Sequence, residues 1–357
     1  MNNAFLHCHK LKAVIFLALG ISWLASGAMA QTPQPLPPAN EVFAPPATSS
    51  TLFSSRYTNA AWAPSSNTIT DTLTPNPPQP ENESWITSNP EQQTKVVVDS
   101  GRPGVFQGAS FQATFLPDLV DPPDLTELEL WSNFAFPMPT RESPLILTPG
   151  FQTRFLEGPN RPDLPGTLYD AYLQIRWMSK INDRWGIDLM ITPGVHSDFK
   201  QGDDSAIRVP IRGLASYQWS PATKVILGVV YLDRSDVIPF PAGGVIYTPD
   251  DNTKWELIIP TPRYSRRISV DNLGESWVYL AAEFGGGSWA VKRASGQRDQ
   301  LRARDYRFLA GWERKATSGI TRRWEVGYVF GREYEFASGT PSYQPDGTIL
   351  ARMRLSY

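Results

Sequence analysis

The chain has 357 residues, a formal net charge of −2, 33 prolines and a single cysteine. Near-neutral charge without a basic block excludes a nucleic-acid partner, and the lone Cys8 excludes a disulfide framework and thiol chemistry. The slightly negative mean hydropathy reads as soluble, with one blind spot: a transmembrane β-barrel alternates lipid-facing and lumen-facing residues and averages to the same value.

Residues 1–30 read as a secretory signal peptide. His7, His9, Lys10 and Lys12 make a basic start, and Ala13 to Leu24 is an apolar run too short for a membrane helix. Ala28-Met29-Ala30 is a small-residue cleavage site, so cleavage near Ala30 is expected to leave Gln31 first. The cut removes Cys8, Lys10 and Lys12, which moves the net charge from −2 to −4.

Residues 31–104 are a Pro/Ser/Thr-rich segment, as in "QTPQPLPPANEVFAPPATSS". It has no apolar periodicity and reads as a disordered linker. Trp62 and Trp85 in it are isolated aromatics. In the alternative reading this arm reaches a periplasmic or cell-wall partner.

From Val105 the texture changes to period-2 strands. Tyr169, Ala171, Leu173, Ile175 and Trp177 share one face, and Asp170, Gln174 and Arg176 the other. Trp185, Ile187, Leu189 and Ile191 alternate with Gly186 and Asp188, and Val209 to Trp219 with Arg208 and Arg212. Tyr306, Phe308, Ala310 and Trp312 alternate with Arg307 and Glu313, and Trp324, Val326, Tyr328 and Phe330 with Glu325.

The connections alternate in length. "YEFASGTPSYQPDG", Arg293 to Arg302 and "IPTPRYSRRISVDNLGE" read as long loops; "ATSGIT", "GGGS" (285–288) and "KINDR" read as short turns. Outer-membrane barrels have this asymmetry. Trp177, Trp185, Trp219, Trp255, Trp289, Trp312 and Trp324 lie near the short turns and predict one aromatic girdle. Phe115, Phe155, Tyr169, Trp277 and Tyr306 predict the other.

The chain ends on "ILARMRLSY". Ile349, Ala351, Met353, Leu355 and Tyr357 form a lipid row, with Arg352 and Arg354 on the lumen side. A barrel must close its last strand on its first, because lipid tolerates no open edge. Met353, Leu355 and the terminal Tyr357 resemble the signal read by the barrel-assembly machinery.

These features predict residues 105–357 to be an antiparallel transmembrane β-barrel of about 12–14 strands in the bacterial outer membrane. Twelve strands remain if the proline-interrupted pair at 243–248 and 254–260 folds into a loop. The stretches "VIPFPAGGVIYTPDDNTKWELIIPTPRYSRR" (237–267), "ILTPGFQTRFLEGP" (146–159) and "PGVHSDFK" (193–200) resemble a family known as a domain of unknown function. Its members look like secreted outer-membrane β-barrels. The resemblance runs from about residue 105 to the end; it implies the barrel and its compartment and no catalytic residue.

The predicted lumen set is Asp170, Arg176, Asp188, Arg208, Arg212, Arg307, Glu313, Glu325, Arg352 and Arg354. Both signs are present, which predicts either a weakly selective pore or a lumen closed by cross-barrel ion pairs. A lumen-facing charge stays hydrated, so Gln174→Arg is expected to fold and at most alter conductance. Arg302 and Arg304 lie beyond Tyr306 and are expected to meet lipopolysaccharide phosphates.

Catalysis is not expected. The mature chain has one histidine, His196, with Asp198 two residues on and Asp203 and Asp204 beyond. An Asp-oriented His with paired carboxylates is the pattern of an outer-rim hydrolase. Ser197 is disfavoured as its nucleophile, because adjacent strand residues face opposite ways. No metal cluster or cofactor motif is present. The expected function is a channel or transport-type pore. A structural or adhesive barrel with a partner-binding arm is the alternative, and a His196 rim hydrolase the second alternative.

Overall fold

The computed structural model describes residues 104–140, 143–158, 162–200, 204–233 and 239–357 apart from 340. The signal peptide, the Pro-rich linker up to 103, Trp62, Trp85 and Asp203 lie outside the described residues. No helix among the described residues is long and apolar enough to cross a membrane, which says nothing about strands.

The chain is all-β. Its segments are β1 (Phe106–Leu116), β2 (Asp124–Phe136), β3 (Leu145–Glu157), β4 (Thr167–Lys180), β5 (Trp185–Ile191), β6 (Gly194–Ser197), β7 (Ile207–Arg208) and β8 (Ile211–Ser220). They continue with β9 (Thr223–Tyr231), β10 (Phe240–Asp250), β11 (Thr253–Ile259), β12 (Arg263–Asp271), β13 (Gly274–Lys292), β14 (Arg298–Ala316), β15 (Thr321–Phe336) and β16 (Thr348–Ser356). Pro193 separates β5 from β6, and Pro210 separates β7 from β8; a proline cannot donate to the ladder. Each pair is therefore one broken stave, and the sixteen segments make fourteen staves.

Consecutive staves pair antiparallel, and β1 pairs β16 from Ser110↔Ser356 to Phe115↔Ala351. The sheet is thereby a closed barrel with no free edge around its girth, as a lipid environment demands. Tyr357 extends that seam, exchanging backbone bonds of 2.9 and 3.0 Å with Ala109. The short hairpins, the start of β1 and the end of β16 share one end of the barrel.

Alternation carries the faces. Leu130, Phe151, Leu173, Leu189, Leu227, Val229, Leu280, Phe308 and Val326 are exposed on the outer wall, as a lipid belt requires. The interleaved positions are buried: β4 reads Leu168, Asp170, Tyr172, Gln174 and Arg176 inward.

Two sequence expectations are corrected. The "GGGS" turn is the interior of β13, and the hairpin there is Asn272-Leu273, between β12 and β13. The long loop at 259–275 instead contains β12, so only Pro260–Pro262 joins β11 to β12. The proline-interrupted pair is in the wall as β10 and β11, so the barrel has the fourteen staves of the expected 12–14. Gly286 explains the first correction. Its φ is +95° and a Cβ there would lie 2.0 Å from the Ala303 carbonyl oxygen, so the glycine bends a continuous strand.

Two tryptophans move with that strand. Trp289 is at the outer end and buried in the lumen, and Trp277 is at the short-turn end and buried beside Arg267 and Lys315.

Candidate functional site

β13 and β14 have 19 residues each, against the roughly 9–11 a tilted strand needs to cross a bilayer. Their tips project past the outer ends of β8 to β12. Pairing of β12 with β13 stops at Ala281. Beyond it, β13 meets β6 directly: Ala290 pairs Ser197 in parallel, and the Asp198 N–H donates to the Ala290 carbonyl at 3.1 Å. The Asp198 carboxylate accepts from the Lys292 N–H at 3.0 Å. At its outer end the wall therefore runs through β1 to β4, β6 and β13 to β16, a ring of nine staves inside the fourteen.

That narrow ring is filled. Leu116, Leu125, Leu156, Leu168, Trp289, Leu301, Val329, Phe336 and Leu350 form one buried apolar cluster drawn from its walls. Each lies at an inward parity, so the cluster occupies the lumen. A second cluster, including Leu214, Ile226, Val230, Ile246 and Ile258, covers the inward faces of β8 to β11.

Next to the apolar cluster lies a belt of buried charge that crosses the lumen. Arg154 bonds Glu127 at 3.1 Å and also contacts Asp170. Asp170 accepts from the Trp289 indole N–H at 2.7 Å, across the single intervening strand β6, and lies 2.5 Å from His196 Nδ1. Arg307 bonds Asp305 at 2.6 Å and reaches Glu127, four staves away, at 3.6 Å. Arg352 bonds Glu283 at 2.6 Å and Glu325 at 2.8 Å, and the Tyr279 hydroxyl donates to Glu325.

Toward the short-turn end, Asp188 receives Arg176 at 2.5 Å and Arg212 at 2.9 Å. Glu313 receives Arg323 at 2.6 Å and Arg263 at 3.4 Å. Arg354 donates to Gln112 at 2.7 Å and lies over the Trp131 ring.

Nine of the ten predicted lumen residues sit on inward faces and join these pairs. Arg208, near the outer end on β7, does not. Sequence reading missed Glu127, Glu129, Arg154, Glu283 and Asp305. The signal for the first two was present, since they alternate with Leu128 and Leu130. Arg302 pairs Glu335 at 3.9 Å, and Arg304 contacts Glu333 with its side chain mostly exposed. Both lie in β14 rather than in a loop.

The His196 constellation is corrected. Its partner is Asp170, not Asp198, because Asp170↔His196 is the β4–β6 register pair. Asp198 is engaged by the Lys292 and Lys200 N–H groups. Ser197 Oγ accepts from the Phe199 N–H at 3.0 Å. Asp204 opens a 3-10 turn, Asp204–Ala206.

At the long-connection end of the barrel, Arg293 ties the outer connections together. It donates to Asp163 at 2.8 Å and to Asp299 at 2.9 Å and covers the Phe336 ring at 3.7 Å. The Arg293 hydrogen bond holds the Asp163 carboxyl down at about 2.

No curated protein matches the chain. Among solved structures it is similar to LpxR from Salmonella typhimurium, at 8% identity over 70% of this chain and 99% of that one, with a TM-score of 0.34. It is also similar to a variant porin from Rh. blastica, at 7% identity over 71% and 99%, with a TM-score of 0.26. The barrel assignment rests on the strand pairing above. Residues 157–343 match the family described as a domain of unknown function, DUF6268, a stretch that runs from the end of β3 past β15. The chain belongs to the DUF6268 family, and its folded unit is a closed, antiparallel fourteen-stave β-barrel.

Proposed function

We infer that this barrel resides in the bacterial outer membrane as an anchoring structure with a closed lumen, not as a free-diffusion pore. The observation that carries the reading is the crossing of the lumen by the Arg307–Glu127 pair, from β14 to β2, beside a packed apolar cluster that includes Trp289. Buried, hydrogen-bonded charges of opposite sign leave no hydrated path between them.

Orientation follows from topology. In bacterial barrels the short turns are periplasmic. β1 starts at that end, so residues 31–103 are delivered to the periplasm, where a cell-wall or periplasmic partner would meet them. The terminal Tyr357, Leu355 and Met353 face outward or half-outward on the seam strand, where the barrel-assembly machinery would read them. Arg302 and Arg304 stand at the outer end, level with lipopolysaccharide headgroups.

A transport role is the second reading. Its support is the two-signed inner wall, whose ion pairs could re-pair around a solute. A rim hydrolase finds less support, since His196 is buried against Asp170 and Ser197 is turned away.

The test is protease protection with an epitope placed in the 31–103 segment. The reading expects carbonate-resistant outer-membrane fractionation, Gln31 as first residue, and an epitope cut only after the outer membrane is broken. Release of the chain with the soluble periplasm, or cutting in intact cells, would overturn it.

A further inference from the structure

Arg208 belongs to none of the lumen ion pairs. Its Nε and Nη2 are buried and have no hydrogen-bond partner, and the same holds for Nε of Arg302. The two residues come from staves far apart in the sheet order, β7 and β14. The β6–β13 bridge brings their strands together. Arg208 pairs Gly194 on β6, Ser197 of β6 pairs Ala290 on β13, and the nearby Ser288 pairs Arg302. Arg302 lies within electrostatic range of Arg208.

The neighbouring acids do not satisfy them. Asp233 is the acid beside Arg208, and its carboxylate is engaged by the Tyr231 hydroxyl at 2.9 Å and the Val209 N–H at 2.5 Å. Glu335 approaches Arg302 only to 3.9 Å, and its side chain is about half exposed at 48%. Arg304 is taken by Glu333. Beside Arg302, Gln300 Nε2 donates to Ser288 Oγ at 2.8 Å, which leaves the Gln300 side chain fixed at the rim of the same spot.

Two like charges held near one another with unfilled N–H groups repel, and both effects are relieved by one bidentate anion. A guanidinium fork matches phosphate oxygens in geometry as well as charge. We propose that Arg208 and Arg302 form a binding site for a phosphoryl anion on the outer shoulder of the barrel, above the short staves β8 to β12. The site differs from a general basic rim in needing Arg208, which sequence parity alone assigns to the lumen. A soluble phosphate compound and a phosphorylated lipid headgroup offer the same chemistry. The site rests on the outer-membrane reading only for the headgroup source.

The experiment uses the full chain in phosphatidylcholine nanodiscs, titrated with inorganic pyrophosphate by calorimetry. A second arm measures the thermal midpoint in nanodiscs doped with phosphatidic acid. Pyrophosphate binding in undoped discs points to a soluble ligand; a midpoint shift in the doped discs alone points to a headgroup. Either result supports the site if Arg208→Gln and Arg302→Gln each weaken it by about tenfold or more, the scale of one charge-assisted hydrogen bond. Arg314→Gln removes a cation paired with Asp271 at the opposite end and should behave as wild type. Should a glutamine variant not fold, Arg208→Lys and Arg302→Lys keep the charge, lose the fork, and should still weaken binding. Failure of both arms with folded wild type, or unchanged binding in the Arg208 and Arg302 variants, would overturn the proposal.

Discussion

Leu173 and Gln174 are neighbours on β4 with opposite surroundings: Leu173 is 36% exposed on the outer wall, and Gln174 is 0% exposed inside. An arginine at Leu173 puts charge into lipid and should cost about 2–4 kcal/mol near mid-membrane. A wet lumen would accept Gln174→Arg at little cost. In a filled lumen the new charge is buried without a partner, and the loss should be on the order of 3–5 kcal/mol. Both variants should therefore lower the folded fraction in a heat-modifiable gel shift, Gln174→Arg at least as much as Leu173→Arg. Free folding of Gln174→Arg would show that the inner face is hydrated.

Asp163 gives a pH prediction outside the membrane. Its folded pKa of about 2 lies below the ordinary 3.8, so its tie to Arg293 stabilises the outer connections above about pH 4. The stabilisation is lost as pH falls from about 4 toward 2. Pepsin works in that window, and its cutting near Leu164 should rise as pH drops, relative to Asp163→Asn, which lacks the tie at every pH. Parallel pH profiles for the two proteins would contradict this.

At the scale of elements, β13 decides the outer architecture. Gly286 bends it so that its tip reaches β6. Gly286→Val meets both a disfavoured φ and the Ala303 carbonyl, and should detach the tip. Amide exchange at Asp198 and Lys292 should then accelerate by at least about tenfold while β1 to β4 stay protected. Unchanged exchange would mean the bridge does not depend on the bend.

The same strand shows where sequence legibility ended. Alternation in β4, β5, β8, β14, β15 and β16 was strong enough to assign faces, because each strand has lipid on one side. β13 carries "GGGS" in its interior, which resembles a turn, and β12 carries "RYSRRISV", whose charges hide a strand. Splitting the one strand and missing the other cancel in the count, so fourteen is reached by compensating errors. Trp277 and Trp289 were assigned to opposite ends for that reason. Read as one strand, Glu283, Gly285, Gly287, Trp289 and Val291 share an inward parity, and Trp289 falls inside. Of the site, inward charges were legible, but their partners were not. Pairs such as Arg307–Glu127 depend on which staves face each other across the lumen, which no local pattern encodes.

For the whole molecule, closure and filling are separate requirements. Closure depends on the β1–β16 seam, completed by Tyr357 against Ala109. Deleting Tyr357 should leave unfolded precursor and slow assembly in cells, while the purified chain refolded in detergent keeps most of its stability; normal insertion would make the terminal ring incidental. Filling depends on the lumen belt and the apolar cluster, and it separates an anchoring barrel from a pore. Single-channel recording of the full chain in planar bilayers tests this most directly. Inserted, heat-modifiable protein with no steady conductance is expected, and conductance should appear in Trp289→Ala/Arg307→Ala, which removes the Arg307–Glu127 crossing and a large buried side chain of the apolar cluster. Stable ohmic steps from the unaltered chain would contradict it.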